Sequence, residues 1–178
     1  MPWPCAKGSV LGSACLIGLG MQLKPTIGIL ALPLLADLLW RRELLQACRF
    51  CLPLAVSTGA VLVSNRLLYG SYLTPAQPFV AGDLREGLVG LMFHSRFGLL
   101  FFAPIALLAL ACWPSFLQRQ KRAGLILLSG FLAQYLLMAY WACWHGAAAY
   151  GPRLLVPVLP FFLVSLVRIG DPEQRFPT

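Results

Sequence analysis

Polar and apolar positions in this chain do not alternate finely. They separate into long apolar runs divided by short polar breaks. Six runs recur, at about 8–23, 26–40, 50–68, 98–113, 123–142 and 154–167. The breaks are the Lys24-Pro25 turn, the Arg41-Arg42-Glu43 turn, the stretch 69–97, and the loops 118–122 and 143–153. The pattern predicts an all-α fold: a polytopic transmembrane helix bundle of about six membrane segments over 1–170, then a polar tail, 171–178. Run 123–142 carries no charge, and about 20 such residues cross the hydrocarbon layer of roughly 30 Å. Runs one, two, four and six are short for spanning helices.

Details within the runs sharpen the expectation. Gly8, Gly12, Ala14 and Gly18 make two small-x-x-x-small pairs, which let a neighbouring helix approach closely. Lys7 before an apolar run resembles a signal-peptide start, but no clean A-x-A site follows, and Lys24-Pro25 leads straight into another run. The stretch 69–97 is amphipathic and is the only long polar loop, with Pro75, Pro78 and Gly82 as helix breakers. Pro114 is expected to close run four.

Composition agrees with lipid as the solvent. The chain has 178 residues, 59% apolar and 11% charged, with a mean hydropathy of +0.77. A soluble domain carries about 25% charged residues. The net charge is +8, but the basic residues sit in clusters between apolar runs, not on one face of a polar domain. That excludes nucleic acid as the expected partner and leaves membrane lipid. Cys48 and Cys51 have half a zinc site's spacing, with no second pair or nearby His to complete it. No metal and no cofactor is expected, and the basic loop holding this pair should face the reducing side.

Charge also sets the orientation. Lys7, Arg41, Arg42, Arg49, Arg119, Lys121, Arg122, Arg168 and Arg175 fall on one side of the alternating segments. Lys24, Arg66, Arg85, Arg96 and Arg153 fall on the other. The larger set belongs in the cytoplasm, so both termini are expected inside, in a bacterial inner (plasma) membrane. Trp40, Tyr69, Trp113, Tyr140, Trp141 and Trp144 lie near run ends, as an interfacial aromatic belt requires.

The outer basic residues are the candidates for chemistry. Each can be a headgroup anchor, but several converging would bind an anionic headgroup. Lys24 sits in a tight turn before Pro25. Arg96 precedes Gly98, and Arg153 follows Gly151-Pro152. A guanidinium on such a restricted turn can be aimed at a phosphate. Tyr150, His145 and Trp144 share the last outer loop with Arg153, and aromatic faces beside a cation suit a sugar or a lipid phosphate.

Four patches carry a family resemblance. Gly18 to Trp40, GLGMQLKPTIGILALPLLADLLW, resembles the G-x-x-x-x-x-K-P hairpin of large polytopic glycosyltransferases. Asn65 to Pro75, NRLLYGSYLTP, resembles their N-x-x-x-[FY]-G-[SN] approach to an outer loop. Ser95 to Pro104, SRFGLLFFAP, resembles their GRGLFxYxP, and Tyr150 to Pro160, YGPRLLVPVLP, their YGPRYLxPxLP. The family is the integral-membrane glycosyltransferases of the dolichyl-phosphate-mannose and undecaprenyl-phosphate-aminoarabinose transferase type.

The resemblance implies a polyprenyl-phosphate sugar donor, used at the outer membrane face. It implies inverting transfer to a lipid, glycan or protein acceptor. Lys24, Arg96 and Arg153 would then hold the donor phosphate, with Tyr150 and His145 on the wall, and stabilise charge developing on the leaving group. Family members carry acidic catalytic residues in a first outer loop, before several helices that precede the K-P hairpin. This chain begins just upstream of that hairpin. Asp83 and Glu86, the outer carboxylates here, match no family position, so no catalytic residue carries over. The chain resembles the C-terminal half of such an enzyme, and the N-terminal half is an expected partner. The competing expectation is a non-catalytic membrane protein that binds polyprenyl lipids or transports lipid or solute. A transporter would often show internal repeats and mid-membrane charge, and neither is evident.

Overall fold

A computed structural model describes residues 7–73, 79–146 and 153–166. The chain divides into two compact units, Met1–Phe79 and Val80–Thr178. Among their described residues all regular structure is helical, apart from one isolated antiparallel bridge between Ala81 and Trp141.

The first unit holds α1 (Lys7–Leu23), a 3₁₀ helix (Pro25–Leu30), α2 (Ala31–Trp40) and α3 (Leu44–Tyr69). Proline places the 3₁₀ turn, because its fixed φ suits the first helical position and it needs no N–H there. Helices α1 and α3 run parallel: Ala14 shares a buried cluster with Phe50, and Gln22 donates to the Ser57 carbonyl at 2.9 Å. The small-residue pairs divide in use. Ala14 and Gly18 are buried, and a Cβ on Gly18 would lie 2.7 Å from Ser57 Oγ, whereas Gly12 faces open space.

Helix α3 starts six residues before run three, so Cys48 and Cys51 lie inside it and not in a basic loop. Both are exposed, as free thiols. The helix continues through Pro53. Its far end explains the Asn65–Gly70 pattern. Gly70 takes φ 76°, a left-handed conformation that terminates helices and that glycine adopts without strain. Asn65 Nδ2 donates to the Tyr72 carbonyl at 3.3 Å, and Arg66 Nη1 donates to the Gly70 carbonyl. The Arg66 guanidinium also lies over the Tyr72 ring.

The second unit holds α4 (Leu84–Phe93), α5 (Leu99–Phe102), α6 (Ile105–Arg119), α7 (Lys121–Tyr140) and α8 (Leu159–Leu163). Helix α8 is flanked by 3₁₀ turns Val156–Val158 and Val164–Leu166. Run four is therefore broken at 103–104, and α6 passes through Pro114 to Arg119. Pro114 does not close it. The loop expected at 118–122 shrinks to Gln120, which joins α6 to α7.

Trp113 is buried, with its ring edge-on to Phe116 and 6.1 Å from Phe162. It belongs to the core and not to an aromatic belt, because α6 extends well past it. Phe162 stacks on Phe131 at 4.7 Å, and Ser165 donates to the Ala109 carbonyl at 3.0 Å. These contacts tie α6, α7 and the α8 segment together.

The polar stretch 69–97 contains a helix that its composition hides. Asp83 caps α4, accepting from the backbone N–H of Arg85 at 2.8 Å and of Glu86 at 3.4 Å. Gly87 and Gly90 weaken the helix locally but open a face for close packing. A Cβ on Gly87 would collide with the Ala139 backbone, and one on Gly90 with the Trp144 indole. Tyr135 donates to the Leu88 carbonyl at 2.5 Å. Helix α4 thus lies across the end of α7.

Helices α3 and α7 are long and apolar enough to cross a membrane. Of their apolar windows only 11% and 39% is buried. A core helix of a soluble protein would bury most of its window; a lipid-facing helix leaves it outward. Leu52, Val56, Val63 and Leu67 of α3 are all more than half exposed. Most of the remaining apolar helices are shorter, at 10–17 residues.

Candidate anion site in the second unit

The site grows from the docking of α4 on α7. Because Gly90 has no side chain, the Trp144 indole lies against α4 and is buried. Trp144 leaves the aromatic belt for the same reason that α4 can pack. Helix α4 ends at His94, and the chain turns back on that residue. Gly98 N–H donates to the His94 carbonyl at 2.6 Å, and Arg96 N–H donates to His94 Nδ1 at 3.1 Å. A neutral His94 ring therefore carries its proton on Nε2. Four rings gather around this turn. His94 stacks on Phe97 at 5.0 Å and meets Trp144 edge-on at 5.7 Å. Phe97 lies 6.2 Å from Trp144 and 5.9 Å from His145.

Two arginines belong to the chain segments around this cluster. Arg96 lies between His94 and Phe97 in sequence. Arg153 lies along Gly146, the neighbour of His145: a Cβ placed on Gly146 would lie 2.9 Å from Arg153 Nε. Both arginines are exposed, and among the described residues neither side chain forms an ion pair or hydrogen bond. Arg66 and Arg41, by contrast, are engaged within the fold. Arg66 serves the end of α3, and Arg41 pairs with Glu43 at 2.5 Å. A guanidinium left without an internal acceptor is available to an external anion.

Of the sequence-predicted site residues, His145 joins the ring cluster, Arg96 lies in the turn that carries His94 and Phe97, and the Arg153 stem lies along Gly146. Lys24 belongs to the first unit, where it is half-buried in extended backbone before the 3₁₀ turn, and its N–H donates to the Gly20 carbonyl at 2.9 Å. Tyr150 lies outside the described residues. Sequence reasoning missed His94 and Gly146 as parts of the site. The spacing of Gly87, Gly90 and His94 on one helical face was the available signal, since glycines three apart mark a close helix contact. No protein-family model, curated protein or solved structure matches the chain.

The arrangement suits binding more plainly than catalysis. It offers two exposed arginines beside a ring cluster in which His94 is exposed, Phe97 and His145 are half-buried and Trp144 is buried. Asp83 uses its carboxylate on the α4 backbone, and Glu86 stands beside it in the first turn, at the opposite end of α4 from His94. Among the described residues no group of three or more His, Cys, Asp or Glu is placed to hold a metal ion.

Proposed function

We propose that this chain binds a polyprenyl-phosphate-linked sugar at the outer face of a membrane, as the donor-holding part of a membrane glycosyltransferase. In this reading six segments span the bacterial inner membrane, with the basic turns at 41–43 and 119–122 and both termini in the cytoplasm. The sugar passes to a lipid, glycan or protein acceptor. The supporting observation is the pair Arg96 and Arg153, two exposed arginines on the segments around one aromatic loop cluster whose side chains have no hydrogen bond or ion pair among the described residues. Like charges gathered on one cluster repel, and an anion between them relieves that cost; scattered anchors would gain nothing from proximity. A phosphate partly withdrawn from water there would interact more strongly than in bulk solvent. Lys24 lies in the first unit, and a part for it in donor binding rests on the K-P resemblance alone.

Binding of a polyprenyl monophosphate to the full chain in detergent tests the reading, with phosphatidylglycerol and inorganic phosphate as competitors. Arg96→Ala and Arg153→Ala should each weaken binding about tenfold or more, the range for one charge-assisted hydrogen bond. Inorganic phosphate competing as well as the polyprenyl lipid would mean that the lipid chain is not recognised. Unchanged binding in both variants would reduce the arginines to interfacial anchors.

The same site without a positioned carboxylate also fits a non-catalytic polyprenyl-lipid binder. The commitment of Asp83 to the α4 cap favours that second reading over an enzyme complete in this chain. Sugar transfer by the chain alone separates the two.

A further inference from the structure

We propose that Gly146 is a positioning residue: it is the seat along which the Arg153 side chain lies, and it holds that side chain beside the turn that carries Trp144 and His145. The inference rests on the donor-phosphate reading of Arg153.

Gly146 is buried and has φ 68°, in the left-handed region that glycine occupies without strain. Its N–H donates to the Cys143 carbonyl at 2.8 Å, closing the turn that follows α7. A Cβ there would sit 2.9 Å from Arg153 Nε, 3.5 Å from Cγ and 3.6 Å from Cδ. The arginine stem therefore runs along this one residue from Cγ to Nε. His145, immediately before it, reaches Phe97, and Phe97 adjoins Arg96. An arginine laid over Gly146 therefore lies beside the turn that carries Trp144 and His145, two of the four rings.

An exposed arginine on a loop ordinarily samples many rotamers, and a ligand must arrest them. A stem already lying along a fixed strip of backbone has given up that freedom before the ligand arrives, which raises affinity by lowering the ordering cost of binding. A methyl group at position 146 would occupy the strip and turn the guanidinium away. It would also strain the backbone, since non-glycine residues rarely adopt this φ. The two effects separate in a double mutant. Backbone strain persists whatever stands at 153; the overlap with Nε exists only while Arg153 is present.

The test titrates a polyprenyl monophosphate into the full chain in detergent, as wild type, Gly146→Ala, Arg153→Ala and the double variant. Gly146→Ala should weaken binding roughly tenfold, the lower range for one charge-assisted contact. In the Arg153→Ala background it should have no further effect. Gly146→Asn guards against misfolding, because asparagine tolerates the left-handed region yet still brings a Cβ; it should keep the wild-type melting temperature and still lose affinity. Wild-type affinity in Gly146→Ala beside weakened Arg153→Ala would overturn this inference alone. So would an equal loss from Gly146→Ala with and without Arg153, which would mean that the glycine serves the fold. Unchanged binding in Arg153→Ala would instead sink the donor-phosphate reading, and this inference with it.

Discussion

Gln134 lies in the middle of α7, fully buried, between Phe131 and Met138 on the face that packs inward. Neither its Oε1 nor its Nε2 has a hydrogen-bond partner among the described residues. Its amide offers two donors and an acceptor, all withdrawn from water. A buried polar group left unsatisfied costs about 1–3 kcal/mol. Replacing Gln134 with Met removes both polar atoms while keeping an unbranched side chain of similar length that fills irregular space well. The substitution should therefore stabilise the second unit by about 1–3 kcal/mol. With a slope of roughly 2–4 °C per kcal/mol for chains of this size, the melting temperature should rise by several degrees. Circular dichroism of wild type and Gln134→Met, melted in the same detergent, measures the shift. Polyprenyl-phosphate binding, followed in parallel, should not change. A fall in melting temperature would refute the reasoning, because it would mean that the amide is held by a hydrogen bond, for instance to a buried water. Loss of binding at unchanged stability would assign Gln134 to function, the usual role of polar residues inside membranes.

Three further outcomes follow from the same structure. On a cysteine-free background, a cysteine at residue 83 should react with an impermeant reagent from outside the membrane and one at residue 120 should not; the opposite pattern would invert the proposed orientation. The purified chain, given polyprenyl-phosphate sugars and candidate acceptors, should show no sugar transfer, because Asp83 is committed to the α4 cap; sustained turnover would point to Glu86 or Asp83 as a base. Gly87→Val should lower the melting temperature by several degrees, at least the 1–3 kcal/mol of an overpacked core, since its side chain would meet the Ala139 backbone and not a movable side chain; a neutral result would mean that α4 does not pack on α7 as described.

What the sequence reveals and conceals divides along physical lines. The helical runs are legible because apolar length is a property of composition alone, and α1, α7 and the Pro25–Trp40 segment fall within two or three residues of their expected limits. Helix α4 is not legible, because glycine and charge lower its local propensity and its stability comes from packing on α7. Pro114 misleads for the opposite reason. A local rule says that proline stops a helix, yet α6 continues past it, with Trp113 and Phe116 buried on either side. At the site, Arg96, His145 and Arg153 are visible as charged or aromatic residues at run ends. His94 and Gly146 are not, since their roles lie in a ring nitrogen facing the next turn and in an absent side chain.

The resemblance motifs call for the same division. Asn65, Tyr69 and Gly70 build the end of α3, and Gly98 closes the turn after His94, where a Cβ would lie 2.6 Å from the His94 nitrogen. Such patterns recur wherever a membrane helix ends in a tight turn, so by themselves they argue for shared construction and not for shared chemistry. The cations are a different kind of signal. Construction uses Arg66, whose guanidinium is occupied by the Gly70 carbonyl and the Tyr72 ring. Among the described residues the Arg96 and Arg153 guanidiniums have no such internal partner, although the Arg96 backbone N–H is held by the His94 ring and the Arg153 stem lies along Gly146. The proposed anionic ligand would give Arg96 and Arg153 the partner that Arg66 finds within the fold.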